Sequence, residues 1–355
     1  MVNVQRLIQN LAHANGLTIY SARGDFEHIK DVSAVPELIR GLKHESYEVR
    51  AYCAIALGNL GEGTAVPALC KALKYGSFSA FCAAEALEKI KDGRAVEALI
   101  GALEGPRETV RKAAAGALGT IGSISAVDAL KTAAEDEDSS VRNCAINALG
   151  KIATKNPKAA ETKEIIAILI DKLQGVASIS AAGALGNIGD ASATPALAKV
   201  AKGYGTYAPQ YAVRALGKIG EKADMEGLVG ALGGKSRDAV LEAREVLLKK
   251  GSEAVPALIK GWGSGGNWKV RQNCRELLWE IKPNMGDLGL VRNLAKKRRE
   301  EGGEYSELLK LHKHWSGKLS KKAASCVSAA KNFPKPKVPG KPGSVKRVKL
   351  KRVVR

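Results

Sequence analysis

The chain has 355 residues, a formal net charge of +20, 38 glycines and only 5% aromatic residues, which is length for one to three ordinary domains or one elongated repeat domain. No run of about 18 apolar residues occurs, which excludes a membrane-spanning helix, and the opening MVNVQRLIQNLAHANG has no signal-peptide core. The six cysteines show no C-x-x-C spacing, which argues against a zinc ribbon and leaves packed, reduced thiols as the expectation for a soluble, cytoplasmic chain without membrane association.

In chain order, residues 1–30 hold a capping helix predicted from Val4 to Ala14 and then an irregular stretch. Residues 31–283 repeat at about 30 residues. The units begin SAVPELIRGLKHESYEVRAYCAIALGNLG at Ser33, TAVPALCKALKYGSFSAFCAAEALEKI at Thr64, RAVEALIGALEGPRETVRKAAAGALGTIG at Arg94 and SAVDALKTAAEDEDSSVRNCAINALGKI at Ser125. A longer fifth unit ends at Gly189, a sixth starts at Ala191, a degenerate seventh reads ADMEGLVGALGGKSRDAVLEAREVLLKKG, and an eighth starts at Glu253.

Each unit predicts two helices. Pro36, Pro67, Pro195 and Pro256 fall in the opening turn of the first, where a missing N–H costs nothing. Leucine and isoleucine at Leu38, Ile39 and Leu42 give that helix one apolar stripe. A polar turn follows, and the second helix carries Ala at crowded positions before glycines stop it. Neither helix buries its stripe alone, so the units must stack. Residues 284–331 predict two further capping helices, and residues 332–355, with four prolines and little to bury, predict a disordered tail.

The pattern AVPxLIxxLxxxxxxVRxxAxxALGxIG resembles the short prokaryotic-type HEAT repeats, the class also found in phycobilisome lyase subunits and deoxyhypusine hydroxylase. The resemblance covers residues 31–283. It implies an all-α fold, a right-handed α-solenoid of about eight helical hairpins whose second helices line a concave face. It does not imply one function, because the fold hosts scaffolds, adaptors and enzymes.

Few residues on this frame are candidates for chemistry. The hydroxylase relatives bind two irons through several His-Glu dipeptides, whereas this chain has only His44-Glu45, too few ligands. His312 and His314, two residues apart on a predicted helix, point about 200° away from each other, and no metal site or cofactor is expected. The Gly-rich GWGSGGNWK at 261–269 follows no strand and lacks the ending of a nucleotide-binding loop; it is the turn of the eighth unit, with Trp268 free to stack on a ligand or base. Arg50, Arg111, Arg142 and Arg271 share one position near the start of the second helix, where the resemblance implies structural hydrogen bonds to the turn. Cys53 and Cys274 share one column, and Cys82 and Cys144 the next, which means packing rather than nucleophilic chemistry. A DNA-glycosylase reading finds no aromatic-and-Asp cluster to support it. The expectation is a non-enzymatic protein.

The charge is concentrated at the C-terminal end. From residue 287 onward there are twenty Lys or Arg against five Asp or Glu, and from 333 onward nine against none. One cluster is Lys296, Lys297, Arg298 and Arg299. The other is Lys335, Lys337, Lys341, Lys346, Arg347, Lys349, Lys351, Arg352 and Arg355, with Trp315 and Phe333 between or beside them as rings for base stacking. Pro334 to Pro342 is a semi-stiff spacer. In VKRVKLKRVVR, Val348, Leu350 and Val354 share one parity and Arg347, Lys349, Lys351 and Arg355 the other, so an extended tail has an apolar and a basic side. Such a surplus favours a polyanionic partner. The expectation is a monomeric scaffold binding nucleic acid or a ribonucleoprotein, most of all structured or ribosomal RNA; the alternative is an adaptor that takes a protein partner on the concave face.

Overall fold

Sixteen leucines organise the repeats. The first helices contribute Leu38, Leu69, Leu99, Leu130, Leu169, Leu197, Leu228 and Leu258, and the second helices Leu57, Leu87, Leu118, Leu149, Leu185, Leu216, Leu247 and Leu278, all buried. Each is worth about 1.5–3 kcal/mol relative to exposure, and only stacking of neighbouring units removes them from water. A computed structural model describes residues 4–12, 24–205, 207–220, 222–263, 267–300 and 306–331.

Helix α1 spans Val4–Ala12 and packs on the first repeat. Leu11, and beyond it Phe26 and Ile29, are buried, and the Phe26 ring lies 6.2 Å from that of Tyr52. Eight hairpins follow. They are α2 Val35–Gly41 with α3 Tyr47–Leu60, α4 Val66–Ala72 with α5 Ser77–Ile90, α6 Val96–Leu103 with α7 Glu108–Ile121, and α8 Val127–Ala133 with α9 Ser139–Lys155. Next come α10 Ala160–Asp171 with α11 Ser178–Ile188, α12 Thr194–Ala201 with α13 Tyr207–Ile219, α14 Lys222–Ala231 with α15 Arg237–Lys250, and α16 Val255–Gly263 with α17 Trp268–Glu280. No strand occurs among the described residues. These hairpins form an all-α solenoid.

Local chemistry sets the helix boundaries. Asp138 accepts from the amides of Ser140 and Val141 at the start of α9, and Ser46, Ser236 and Asn267 cap α3, α15 and α17 in the same way. Gly61, Gly122 and Gly189 end second helices at φ 74°, 83° and 75°, a region glycine enters without strain. Lys91 occupies the same place after α5 at φ 59°, where the side chain carries a steric cost.

The ALG signature also has a packing cause. A Cβ on Gly119 of α7 would stand 2.6 Å from the Ala148 Cα of α9, so neighbouring second helices touch backbone to backbone. In the seventh and eighth units a close approach appears between first helices instead. A Cβ on Gly261 of α16 would lie 2.5 Å from the Val229 Cγ1 of α14. The glycines of the seventh unit's own first helix face the sixth unit: a Cβ on Gly227 would stand 3.2 Å from the Ala198 Cβ, and one on Gly230 would meet the Lys202 side chain.

The chain divides after Ile281. The second compact unit holds α18, Met285–Glu300, and α19, Ser306–Lys331, which pack on each other. Asn284 and Asp287 open α18 by a reciprocal exchange. The Asn284 amide donates to Asp287 Oδ2 at 2.7 Å and the Asp287 amide to Asn284 Oδ1 at 2.9 Å, the logic of a capping box.

Candidate nucleic-acid interface

Helix α18 carries the first basic cluster. Lys296 and Arg299 are exposed, one turn apart and hence on one side of the helix. Lys296 Nζ lies 3.9 Å from Glu300, a solvent-screened pair of little energetic weight. Lys297 and Arg298 sit on the same helix, with side chains outside the described set. The tail cations Lys335, Lys337, Lys341, Lys346, Arg347, Lys349, Lys351, Arg352 and Arg355, and Phe333 with them, also lie outside the described residues.

Trp315 is not a stacking ring. It is fully buried on α19, the largest such side chain among the described residues. Leu308, Leu311 and Trp315 recur at helical spacing and are buried with Val291 and Ala295 of α18, so the ring fills the core of the C-terminal unit. The charged residues that surround it in sequence, among them Lys310 and Lys313, occupy the exposed side of α19. His312 and His314 are half-buried there, and burial together with Lys318 lowers the His314 pKa.

Trp268 is 61% exposed at the first position of α17. It belongs to a set: Tyr47, Tyr75, Phe78, Tyr204 and Tyr207 are the other exposed aromatics of the repeats. All six fall in an intra-unit turn or in the first turn of a second helix. Sequence alone singles out only Trp268, because the rings are scattered over four units and read one unit at a time. Aligning the units by their turns is the signal that groups them.

The arginine column holds turns together. Arg50 Nη1 donates to the carbonyls of His44 and Glu45 at 2.6 and 2.7 Å, and Arg142 Nη1 to those of Asp136 and Glu137 at 2.6 and 2.9 Å. They satisfy carbonyls of the turn itself, which lie beyond the end of the first helix and have no backbone partner among the described residues. His44 itself accepts from the Ser46 amide at 3.1 Å, so the His-Glu dipeptide serves the same turn. Arg111 reaches the Gly105 carbonyl at 3.1 Å and grips Asp136 of the next unit with two bonds of 2.7 and 2.9 Å. Arg271 is exposed, and the turn before it contains residues outside the described set.

That nearly buried pair of Arg111 and Asp136 has a pH signature. The Arg111 guanidinium holds the Asp136 carboxyl below the usual carboxylate range, and Asp136 in turn raises the Arg111 pKa. A carboxyl depressed in the folded state contributes stability above its unfolded pKa and loses it as pH falls through its folded pKa. Arg111→Met is therefore expected to cost about 1.5–3 kcal/mol at neutral pH, with the part owed to Asp136 vanishing in strong acid and a smaller deficit from the lost Gly105 bond remaining. Urea unfolding across that range checks it; a deficit that persists unchanged in strong acid contradicts the assignment.

Of the described cysteines, three stand in packing positions and Cys70 and Cys144 are half-buried. Cys53, Cys82 and Cys274 are buried. Burial pushes the Cys53 thiol far up and the Cys274 thiol to about 12, so neither offers a thiolate near neutral pH. Among the described residues no group of three or more His, Cys, Asp or Glu is placed to hold a metal ion, and no described helix is long and apolar enough to cross a membrane.

The profile of HEAT repeats matches residues 4–80, 35–118, 80–136 and 97–162, and that of the PBS lyase HEAT-like repeat matches residues 179–203. The chain is a HEAT-repeat protein. No curated protein matches it. Among solved structures, this HEAT-repeat chain is similar to an engineered protein at 23% identity, covering 90% of this chain and 99% of that one with a TM-score of 0.45. It is similar to the complex of CpcE and CpcF of phycocyanin lyase from Nostoc sp. PCC7120 at 25% identity, covering 69% and 94% with a TM-score of 0.39. A homology model of the full-length AP-3 complex in an intermediate open conformation aligns at 15% identity over 80% of this chain and 58% of that one, with a TM-score of 0.54. That likeness supports the HEAT-repeat fold alone.

Proposed function

We propose that this HEAT-repeat protein is a non-enzymatic scaffold that binds nucleic acid or a ribonucleoprotein, structured RNA above all, through its basic C-terminal end. The observation that carries the reading is the charge: twenty Lys or Arg against five Asp or Glu from residue 287 onward, with Lys296 and Arg299 exposed on α18. The buried cysteines and the turn-bound arginines leave the repeats with packing roles for their reactive residues, which supports a scaffold over a modifying enzyme. Each phosphate neutralised by Lys or Arg releases condensed counterions, and that gain needs no fixed geometry in the cation-bearing segment.

A gel-shift comparison of the full chain with a chain ending at Lys331 tests the reading. The shortened chain is expected to bind structured RNA far more weakly at the same salt. Equal binding by the two chains overturns the role given to the tail.

The adaptor reading has one observation of its own. A groove of about 950 Å³ runs between the second and third units, bordered by Pro67, Cys70, Tyr75, Gly101, Pro106 and Arg107. Its apolar lining with a few polar groups suits a peptide or helix from a protein partner.

A further inference from the structure

The exposed aromatics of the repeats form two groups along the edge made by the intra-unit turns. Tyr47, Tyr75 and Phe78 lie in the first two units, and Tyr204, Tyr207 and Trp268 in the last three. Between them the turn of the fourth unit, Glu135 to Asp138, is wholly acidic. Charge separates the two groups. Around the first, Lys43, Arg50, Lys74, Arg107 and Arg111 are balanced by Glu45, Glu48, Glu104 and Glu108, and Arg50 and Arg111 are already bound to turn carbonyls and to Asp136. Around the second, segments 202–208, 233–241 and 267–271 carry Lys202, Lys235, Arg237, Lys269 and Arg271 against Asp238 alone, and all five cations are exposed.

The turns of the last three units also abut. Lys235 Nζ stands 3.8 Å above the Tyr204 ring, joining the sixth unit to the seventh. Asn267 Nδ2 donates to the Gly233 carbonyl at 3.1 Å, joining the seventh to the eighth beside Trp268. Between them Lys235, Arg237, Leu241, Lys269 and Asn273 border a concavity of about 460 Å³, within the ~300–1,000 Å³ of ligand pockets. Arg244, which also lines it, is already committed to Asn273, Glu276 and Glu280, so the accessible charge comes from the lysines and Arg237.

We propose that a single-stranded nucleic acid segment runs along this edge, with bases stacked on Trp268, Tyr204 and Tyr207 and phosphates held by Lys235, Arg237 and Lys269. The inference rests on the nucleic-acid reading above and deepens it, giving the solenoid a share in recognition. Rings 61% to 77% exposed offer their faces to unstacked bases, which a duplex keeps inside its own stack. Interleaved rings and cations with few acids are the chemistry of sequence-tolerant strand binding, whereas the acid-balanced first group lacks the phosphate-binding half.

The test uses the full chain, its Tyr204→Ala/Trp268→Ala variant and the chain ending at Lys331. The probes are labelled oligouridylate and an RNA duplex of equal length, with polyglutamate as competitor. Both substituted side chains are exposed, so the variant keeps its helical circular dichroism. It is expected to bind oligouridylate at least about 10-fold more weakly, given roughly 5- to 100-fold per stacked base, and duplex within about 2-fold of the natural chain. Trp268→Phe is expected to restore most single-strand affinity. Unchanged oligouridylate binding by the double variant overturns the edge site. If the shortened chain still loses affinity in that case, the C-terminal reading survives alone. Loss in the double variant with full binding by the shortened chain supports the edge site and overturns the role of the tail, and a natural chain that binds neither probe ends both. Displacement of oligouridylate by polyglutamate at equal charge shows bare charge attraction and overturns the stacking.

Discussion

Replacing Trp315 by alanine is expected to open the pair formed by α18 and α19 while leaving the repeats folded. The indole is the largest fully buried side chain among the described residues, and removing a buried Trp costs about 3–5 kcal/mol in lost transfer energy and cavity. The unit that begins at Lys282 is small, and a small core supplies only about 3–5 kcal/mol in total. One substitution therefore removes most of the margin. Amide exchange in α18 and α19 is expected to accelerate about 100- to 1,000-fold, with the amides of α7 and α9 unchanged. Trp315→Phe, which keeps a ring in the same space, should recover much of the protection. Exchange in α19 that stays as slow as in the natural chain contradicts the assignment of Trp315 as the centre of this core.

The second large effect is electrostatic. Nine cations in residues 333–355 and five on α18 give more than enough charge for six to nine phosphate contacts. Contacts in that number make affinity fall about 1,000- to 100,000-fold between roughly 50 and 200 mM salt. Hydrophobic docking of a protein partner on the groove near Tyr75 has no comparable dependence, since salt screens exposed charges and leaves burial of apolar surface in place. Ionic strength thus separates the two readings of the molecule without any substitution.

The repeats were legible because the same contact is made eight times. Leu38 and Leu57, with their counterparts, must meet neighbours of the same kind in every unit, so the spacing recurs and the hairpin boundaries follow. Even the seventh unit departs from the pattern where its glycines Gly227 and Gly230 come close to Ala198 and Lys202 of the sixth. Trp315 was misread for the opposite reason. Its charged sequence neighbours suggest a surface ring, although Leu308, Leu311 and Trp315 trace one helical stripe; periodicity outranks local composition in deciding what is buried. The aromatic edge was legible only in part: Trp268 stands out in its turn, whereas Tyr204 and Tyr207 gain meaning only beside it. They become neighbours only when the stacking brings the turns of three units together. The arginine column lay between these cases. Its recurrence was visible, but the bond from Arg111 to Asp136 across units depends on an acidic turn found in one unit alone.

The affinity of the full chain for a labelled structured RNA, followed across salt concentration, tests the central claim most directly. A steep fall of about 1,000-fold or more between roughly 50 and 200 mM salt is the predicted result. Binding that is absent at low salt, or that stays flat across the series, contradicts it.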